Sequence, residues 1–164
     1  ELARVEAEGF ETVFHVKHEG EVEEAHLHPK ATGNVIVSIS ETQPSAAEWR
    51  WGGPSRDWVG SPTSLGIAGV VVQATDVPAV AAQHAKLLGT PPVSASTADL
   101  VTFRLDFPVT PASPHAQPSQ TLEVIPARDG RGNGLHGVKL FTRDAQRIGR
   151  RTLVCGVWFE WVGL

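Results

Sequence analysis

The residue with the clearest chemical potential is Glu160, an acid inside the apolar run GVWFEWV near the C-terminus. In an extended strand successive side chains alternate between two faces, so Glu160 shares its face with Trp158. A carboxylate among large apolar groups must be hydrogen-bonded or ion-paired. Glu160 is therefore either a functional group, as a proton-transfer base or metal ligand, or the structural partner of Arg104, Arg150 or Arg151.

His26 and His28 form a second candidate cluster. They lie two residues apart on a predicted strand, hence on one face and within about 7 Å of each other. This spacing can serve a metal or a carboxylate substrate. The alternative is an ordinary polar face near the end of a strand. We predict that both residues bind substrate.

The composition limits the function classes that these residues can serve. The chain has 164 residues, a formal net charge of −4 and a single cysteine, Cys155. The charge gives no basic face for nucleic acid, and no apolar run approaches a membrane span. One cysteine excludes an internal disulfide and suits a reducing cytosol. We expect a cytoplasmic protein that binds a small molecule, with no nucleic-acid or membrane partner.

The stretch GIAGVVVQATDVPAVAAQHAKLLG, residues 66–89, organises the predicted fold. Its first half is rich in β-branched residues and predicts a buried strand. Asp76 is a helix N-cap, Pro78 suits the first helical turn, and Gly89 suits a left-handed helix stop. The apolar residues between them follow one helical stripe. The pattern predicts a strand followed by an amphipathic helix at 77–88.

Other segments predict mainly strands. A short helix at 1–8 precedes strands at 11–17, 22–28 and 34–40, and two later strands are predicted at 101–107 and 121–126. A breaker-rich linker at 45–65 carries Trp49, Trp51 and Trp58, which we expect to be buried on the protein or on a partner subunit. The predicted domains are a first module at 1–44, the linker, and a second module at 66–164.

Two segments repeat one pattern. GIAGVVVQATD and GLHGVKLFTRD, which begin at Gly66 and Gly134, share G-x-x-G-V and a terminal Asp. Such an echo indicates duplication of a structural unit. Only AQRIGRRT separates Asp144 from the closing strand, which is too short for a helix of ordinary length.

This order of elements resembles the vicinal oxygen chelate superfamily, which includes glyoxalase I, methylmalonyl-CoA epimerase, extradiol dioxygenases and bleomycin-resistance proteins. The most specific segment is HLHPKATGNVIVSI, beginning at His26, and GVWFEWV resembles a second closing strand. The resemblance implies an α+β fold of two βαβββ modules forming a curved, half-open mixed sheet, with the first strand of module one missing from the chain. It also implies a divalent metal on the concave face, with Glu160 as a ligand.

The chain departs from the metal pattern of that superfamily. Its ligands usually come from a His or Gln before a Val on each opening strand and from a Glu on each closing strand. Glu160 fills one such place, but Ser38 and Gly69 stand in two others. His136 misses the opening-strand place by one residue, because Gly137 precedes Val138, so alternation aims it at the opposite face. We therefore expect His136 to be structural.

Two functions remain open. By resemblance, the protein is a lyase or isomerase that acts next to a carbonyl of a small oxygenated acid or thioester, with Glu160 as ligand or base. Alternatively it is a non-catalytic binder of the bleomycin-resistance type, whose cavity is lined by Trp158. We also expect a homodimer whose interface includes Trp49 or Trp51, since an open sheet edge and exposed indoles both favour pairing.

Overall fold

The chain divides into two compact units, Glu1–Val59 and Gly60–Leu164. The structure, a computed structural model, describes residues 1–43, 64–97, 99–106 and 119–164. The boundary between the units falls among residues 44–63, outside the described part. The predicted domain limits therefore stay predictions. Trp49, Trp51 and Trp58, whose burial was predicted, also lie outside the described residues.

The first unit is a short helix followed by a three-stranded antiparallel sheet in the order β1-β2-β3. The elements are α1 (Leu2–Ala7), β1 (Thr12–His18), β2 (Val22–Leu27) and β3 (Val37–Thr42). Its core contains Val5, Phe10, Val22, Ala25 and Leu27, all of them buried. A short 3-10 turn, Pro29–Ala31, connects β2 to β3.

The second unit is built on a seven-stranded mixed sheet in the order β5-β6-β7-β4-β8-β10-β9. Its elements are β4 (Ile67–Ala74), α2 (Val77–Leu88), β5 (Ser94–Thr97), β6 (Leu100–Leu105), β7 (Gln120–Pro126), β8 (Gly134–Thr142), β9 (Arg151–Val154) and β10 (Val157–Gly163). β4 is parallel to β7 and antiparallel to β8, and β8 is parallel to β10. The predicted α+β class with an open mixed sheet is confirmed.

The order β4-α2-β5-β6-β7 is a complete βαβββ arrangement, and β8, β9 and β10 follow it as a shorter strand group. The two repeated segments of the sequence form β4 and β8, which are neighbours in the sheet. Between β8 and β9 the chain makes turns at residues 145–149. These are held by backbone hydrogen bonds from Arg147 to Asp144 and from Arg150 to Arg147.

Helix α2 packs against β4, β6 and β7. Asp76 caps it, because its carboxylate accepts a hydrogen bond of 2.9 Å from the backbone N–H of Ala79. Gly89 ends it with φ 67°, in the left-handed region that glycine adopts without strain. The buried face carries His84, whose ring lies 6.5 Å from that of Phe103. No helix in the described part of the chain is long and apolar enough to cross a membrane.

The buried His84 predicts acid sensitivity of the second unit. Burial lowers the pKa of His84, while its Nδ1 donates to the carbonyl of Val80 at 3.0 Å. The unfolded state therefore binds the proton more readily, and stability should fall as the pH drops through the ordinary histidine range. In His84→Leu this loss should be smaller. Urea unfolding at pH 7.5 and pH 5 measures it, and parallel losses in both proteins would contradict the prediction.

Candidate functional site

The candidate site lies on the face of the second sheet that is opposite α2. Phe103 packs under the helix, so the adjacent Thr102 and its β7 partner Glu123 project to the other side. The Lys139 side chain on β8 reaches Glu123 on that side. Glu160 on β10 lies next to Lys139 in the parallel β8–β10 ladder, so its side chain is on the same face. Strands β7, β8 and β10 therefore place these charged side chains on one surface.

These side chains surround a cavity of about 190 Å³. This volume suits a ligand smaller than a typical drug molecule, because pockets that bind drug-sized molecules begin at about 300 Å³. The cavity is lined by Val71, Glu123, Ile125, His136, Gly137, Val138, Lys139, Arg151, Trp158 and Glu160. The lining combines two carboxylates, two cations and an imidazole with an apolar wall.

The charges form two ion pairs. Lys139 Nζ lies 2.5 Å from Glu123 Oε1, and both side chains are mostly buried, 22% and 17% exposed. Arg151 Nη2 lies 3.0 Å from Glu160 Oε2. Of the three arginines considered from the sequence, Arg151 is thus the one that pairs with Glu160. Each cation keeps further N–H donors, because an ammonium has three and a guanidinium has five.

Glu160 and Trp158 occupy the same cavity, as alternation along β10 requires. From the sequence, Glu160 was either the structural partner of an arginine or a functional group. In the structure it is ion-paired with Arg151 and it also lines the cavity. Its side chain is 25% exposed, so a small ligand can reach the carboxylate. Pairing and a functional role are therefore compatible at this residue.

His26 and His28 belong to the first unit and have different partners. His26 Nε2 lies 2.7 Å from Glu24 Oε1, and its ring is 4.9 Å from that of Phe14. His28 follows β2, and its Nδ1 accepts a 3.2 Å hydrogen bond from the backbone N–H of Lys30. His28 thereby caps the 3-10 turn. Their predicted role in substrate binding stays a prediction.

His136 was expected on the opposite face, and this expectation is wrong. In β8, Gly137 pairs with Val71 and Leu135 pairs with Val72, so His136 is an extra residue in a β-bulge. The bulge interrupts strict alternation and brings His136 into the cavity. Burial lowers the pKa of His136, and the positive charges of Arg131 and Arg151 add to this effect while Asp129 opposes it.

Glu123 and Lys139 are site residues that the sequence motifs did not single out. The signal was present, because Glu123 sits inside the apolar strand TLEVIP just as Glu160 sits inside GVWFEWV. Lys139 is likewise the single charge in GVKLF. A charged residue inside an apolar strand indicates a polar partner on the same face, and here the two residues are partners of each other.

The cavity does not fit the divalent metal that the resemblance implies. In the described part of the chain no group of three His, Cys, Asp or Glu side chains is placed to hold a metal ion. Both carboxylates of the cavity are already neutralised by a cation. The role of Glu160 as a metal ligand stays a prediction.

Gly69 on β4 and Gly137 on β8 each precede a Val, the place where the superfamily pattern has a His or Gln metal ligand. A Cβ atom at Gly69 would lie 2.5 Å from the carbonyl oxygen of Thr121, and one at Gly137 would lie 2.8 Å from that of Trp158. Both neighbours are backbone atoms of paired strands and cannot move without disturbing the sheet. The close approach of the strands therefore requires glycine at both positions.

Gly69→Ala should lower the free energy of unfolding by about 1–3 kcal/mol, the usual cost of overpacking. The physical reason is the contact between the added methyl group and the Thr121 carbonyl. Gly163→Ala is the matched control, because its Cβ would meet only the end of the Ile148 side chain at 3.3 Å. Urea denaturation of both variants tests this, and equal stabilities would contradict it.

Comparison with known proteins supports the fold. No protein-family model and no curated protein matches the chain. A crystal structure of a hypothetical protein from Staphylococcus aureus matches with a TM-score of 0.60 and 10% identity over 99% of this chain. The match covers 60% of the S. aureus chain, so this protein spans less than two thirds of its length.

A second match is methylmalonyl-CoA epimerase from Mycobacterium tuberculosis, with a TM-score of 0.42 and 14% identity. It covers 66% of this chain and 94% of the epimerase. At this TM-score the match carries no argument about function. The chain therefore shares its fold with the matched part of the S. aureus protein.

Proposed function

We propose that the cavity of the second unit binds a small oxygenated acid and moves a proton at the carbon next to its carbonyl, as an isomerase or lyase of the glyoxalase kind does. The observation that carries this proposal is the pairing of cations with carboxylates inside one cavity of about 190 Å³. The sequence resemblance to the vicinal oxygen chelate superfamily supports it.

The chemistry assigns roles to three of the charged groups. Arg151 and Lys139 hold the carboxylate of the ligand with the N–H donors that their ion pairs leave available. Glu160 accepts the proton from the carbon next to the carbonyl, the electron pair of that C–H bond forms a C=C bond to the carbonyl carbon, and the π pair of the C=O bond moves onto oxygen. The same cations stabilise the resulting enolate charge. Return of the proton from Glu160 to carbon completes an isomerisation.

The alternative is a non-catalytic binder of the bleomycin-resistance type. Trp158 favours it, because its indole, together with Val71 and Ile125, offers an apolar wall to an aromatic ligand. The charges favour the first proposal, since a pocket for an apolar ligand has few charged groups. Here four of the ten lining residues are Glu123, Lys139, Arg151 and Glu160.

Proton exchange separates the two functions. The full chain is incubated in D₂O with pyruvate, acetoacetate or glycolate, and proton NMR follows the C–H signal next to the carbonyl. We expect at least one acid to lose this signal at a rate proportional to protein concentration. Saturable binding of an aromatic dye with no exchange of any acid would favour the binder, and neither binding nor exchange would reject both.

Metal analysis of the purified protein accompanies this experiment. The donor set predicts exchange that persists after dialysis against a chelator, because no step in the scheme uses a metal. A stoichiometric divalent ion whose removal abolishes exchange would instead support the metal role of Glu160 that the sequence resemblance implies.

We further propose that the protein is a homodimer. In the described part of the chain, β9 is an edge strand with exposed apolar residues, Leu153 at 53% and Val154 at 48%. Such an edge favours pairing with a second chain. Light scattering at micromolar concentration should give twice the chain mass. A dimer that persists in Trp51→Ala would exclude Trp51 from the interface, and a monomeric parent protein would reject the dimer.

A further inference from the structure

A buried glutamine, Gln73, links the cavity to the loop that follows β7. Gln73 is 1% exposed, and its amide nitrogen Nε2 donates to Asp129 Oδ1 at 2.7 Å and to the carbonyl of Gly132 at 2.9 Å. Its amide oxygen Oε1 lies 2.9 Å from Nδ1 of His136. One fully buried side chain therefore connects a loop carboxylate to a histidine of the cavity.

The chemistry of these partners fixes the orientation of the amide. A backbone carbonyl can only accept a hydrogen bond, and so can an ionised carboxylate. Asp129 is ionised, because hydrogen bonds from Arg131 hold its pKa well below the usual range. Both partners of Nε2 are thus acceptors, and the amide group that faces His136 is the carbonyl oxygen of Gln73.

The orientation of Gln73 in turn fixes the histidine. Because Oε1 can only accept, His136 Nδ1 must carry the proton and donate it. In the neutral ring the other nitrogen, Nε2, is then an acceptor. The structure gives Nε2 no hydrogen-bond partner within the described residues, and the ring lines the cavity. Burial favours the neutral ring by lowering the pKa of His136.

We infer that His136 is a specificity-determining residue, whose Nε2 accepts a hydrogen bond from a hydroxyl group next to the carboxylate of the ligand. Gln73 is the positioning residue that holds the required tautomer. This inference rests on the proposed function, because Lys139 and Arg151 must hold the carboxylate of the same ligand. The preferred ligand class is therefore small 2-hydroxy acids, since a simple acid would leave the acceptor without a donor.

Nitrogen NMR tests the tautomer without any ligand. In protein with ¹⁵N-labelled histidine, the signals that disappear in His136→Phe belong to this ring. We expect its Nδ1 to show the shift of a protonated nitrogen and its Nε2 that of an unprotonated one at pH 7.5. In Gln73→Met, which keeps the length of the side chain but removes the amide, this preference should weaken. Protonated Nε2 in the wild type would overturn the inference.

Ligand selectivity tests the acceptor. Glycolate and acetate differ by one hydroxyl group, and calorimetric titration should show glycolate binding roughly five- to tenfold tighter, the effect of one hydrogen bond. In His136→Phe the ratio should fall below about twofold, whereas His15→Phe in the first unit should keep it. Equal binding of both acids in the wild type would reject the inference alone. Binding of neither would reject the proposed function together with the inference.

Discussion

Phe103→Ala is expected to lower the free energy of unfolding of the second unit by about 3–5 kcal/mol. Phe103 is completely buried, on the side of β6 that α2 covers. Its ring faces His84 on the helix, with the ring centres 6.5 Å apart. Removing the ring leaves a cavity between helix and sheet that close-packed neighbours fill only partly.

Val93→Ala is the control for this prediction. Val93 lies between α2 and β5 and is 62% exposed, so its truncation should change stability by no more than about 0.5 kcal/mol. Urea denaturation followed by circular dichroism measures both variants. A loss of similar size in the two proteins would show that the interface between α2 and the sheet does not form the core of this unit.

The helix under which Phe103 packs is the element that the sequence predicted best. The bounds Val77–Leu88 agree with the prediction because independent local signals mark both ends. Asp76 can cap only the start of a helix, and Gly89 adopts a conformation that ends one. Such signals act between residues that are close in the chain, so they can be recognised in a single sequence.

Two strands show where local signals were insufficient. The third strand was predicted at 34–40 but occupies Val37–Thr42, because Gly33 and Asn34 continue the preceding turn with φ of 73° and 61°. Strand β5, Ser94–Thr97, was not predicted at all. It is four residues long and its sequence, SAST, has no apolar alternation. Its pairing with β6 supplies what its own sequence lacks.

The site shows the same division between local and long-range information. Glu160 was identified because an acid in an apolar strand is visible in the sequence. The position of His136 was not, because a β-bulge is defined by two residues opposing one on the partner strand, here β4. The role of Gln73 was equally hidden, since its partners Asp129 and His136 lie 56 and 63 residues away along the chain.

Glu160→Gln should reduce the rate of proton exchange by about 10²- to 10⁴-fold, the usual contribution of a general base. Glutamine has nearly the same shape, and its carbonyl oxygen can still accept a hydrogen bond from Arg151. It cannot take up a proton at neutral pH, so binding of the acid should persist while exchange is lost. Proton NMR with the acid that exchanges fastest measures the rate, and calorimetry measures the binding.

The same variant decides between the two interpretations of Glu160. If this carboxylate only anchors Arg151, its replacement should cost no more than about 1 kcal/mol of stability, as for exposed ion pairs, and leave exchange unchanged. Glu41→Gln, an exposed substitution on β3 of the first unit, is the control and should exchange like the wild type. A functional base predicts the same small loss of stability for Glu160→Gln, because the ion pair with Arg151 is lost in either case, together with lost exchange. An unchanged rate in this variant would remove Glu160 from the proposed scheme.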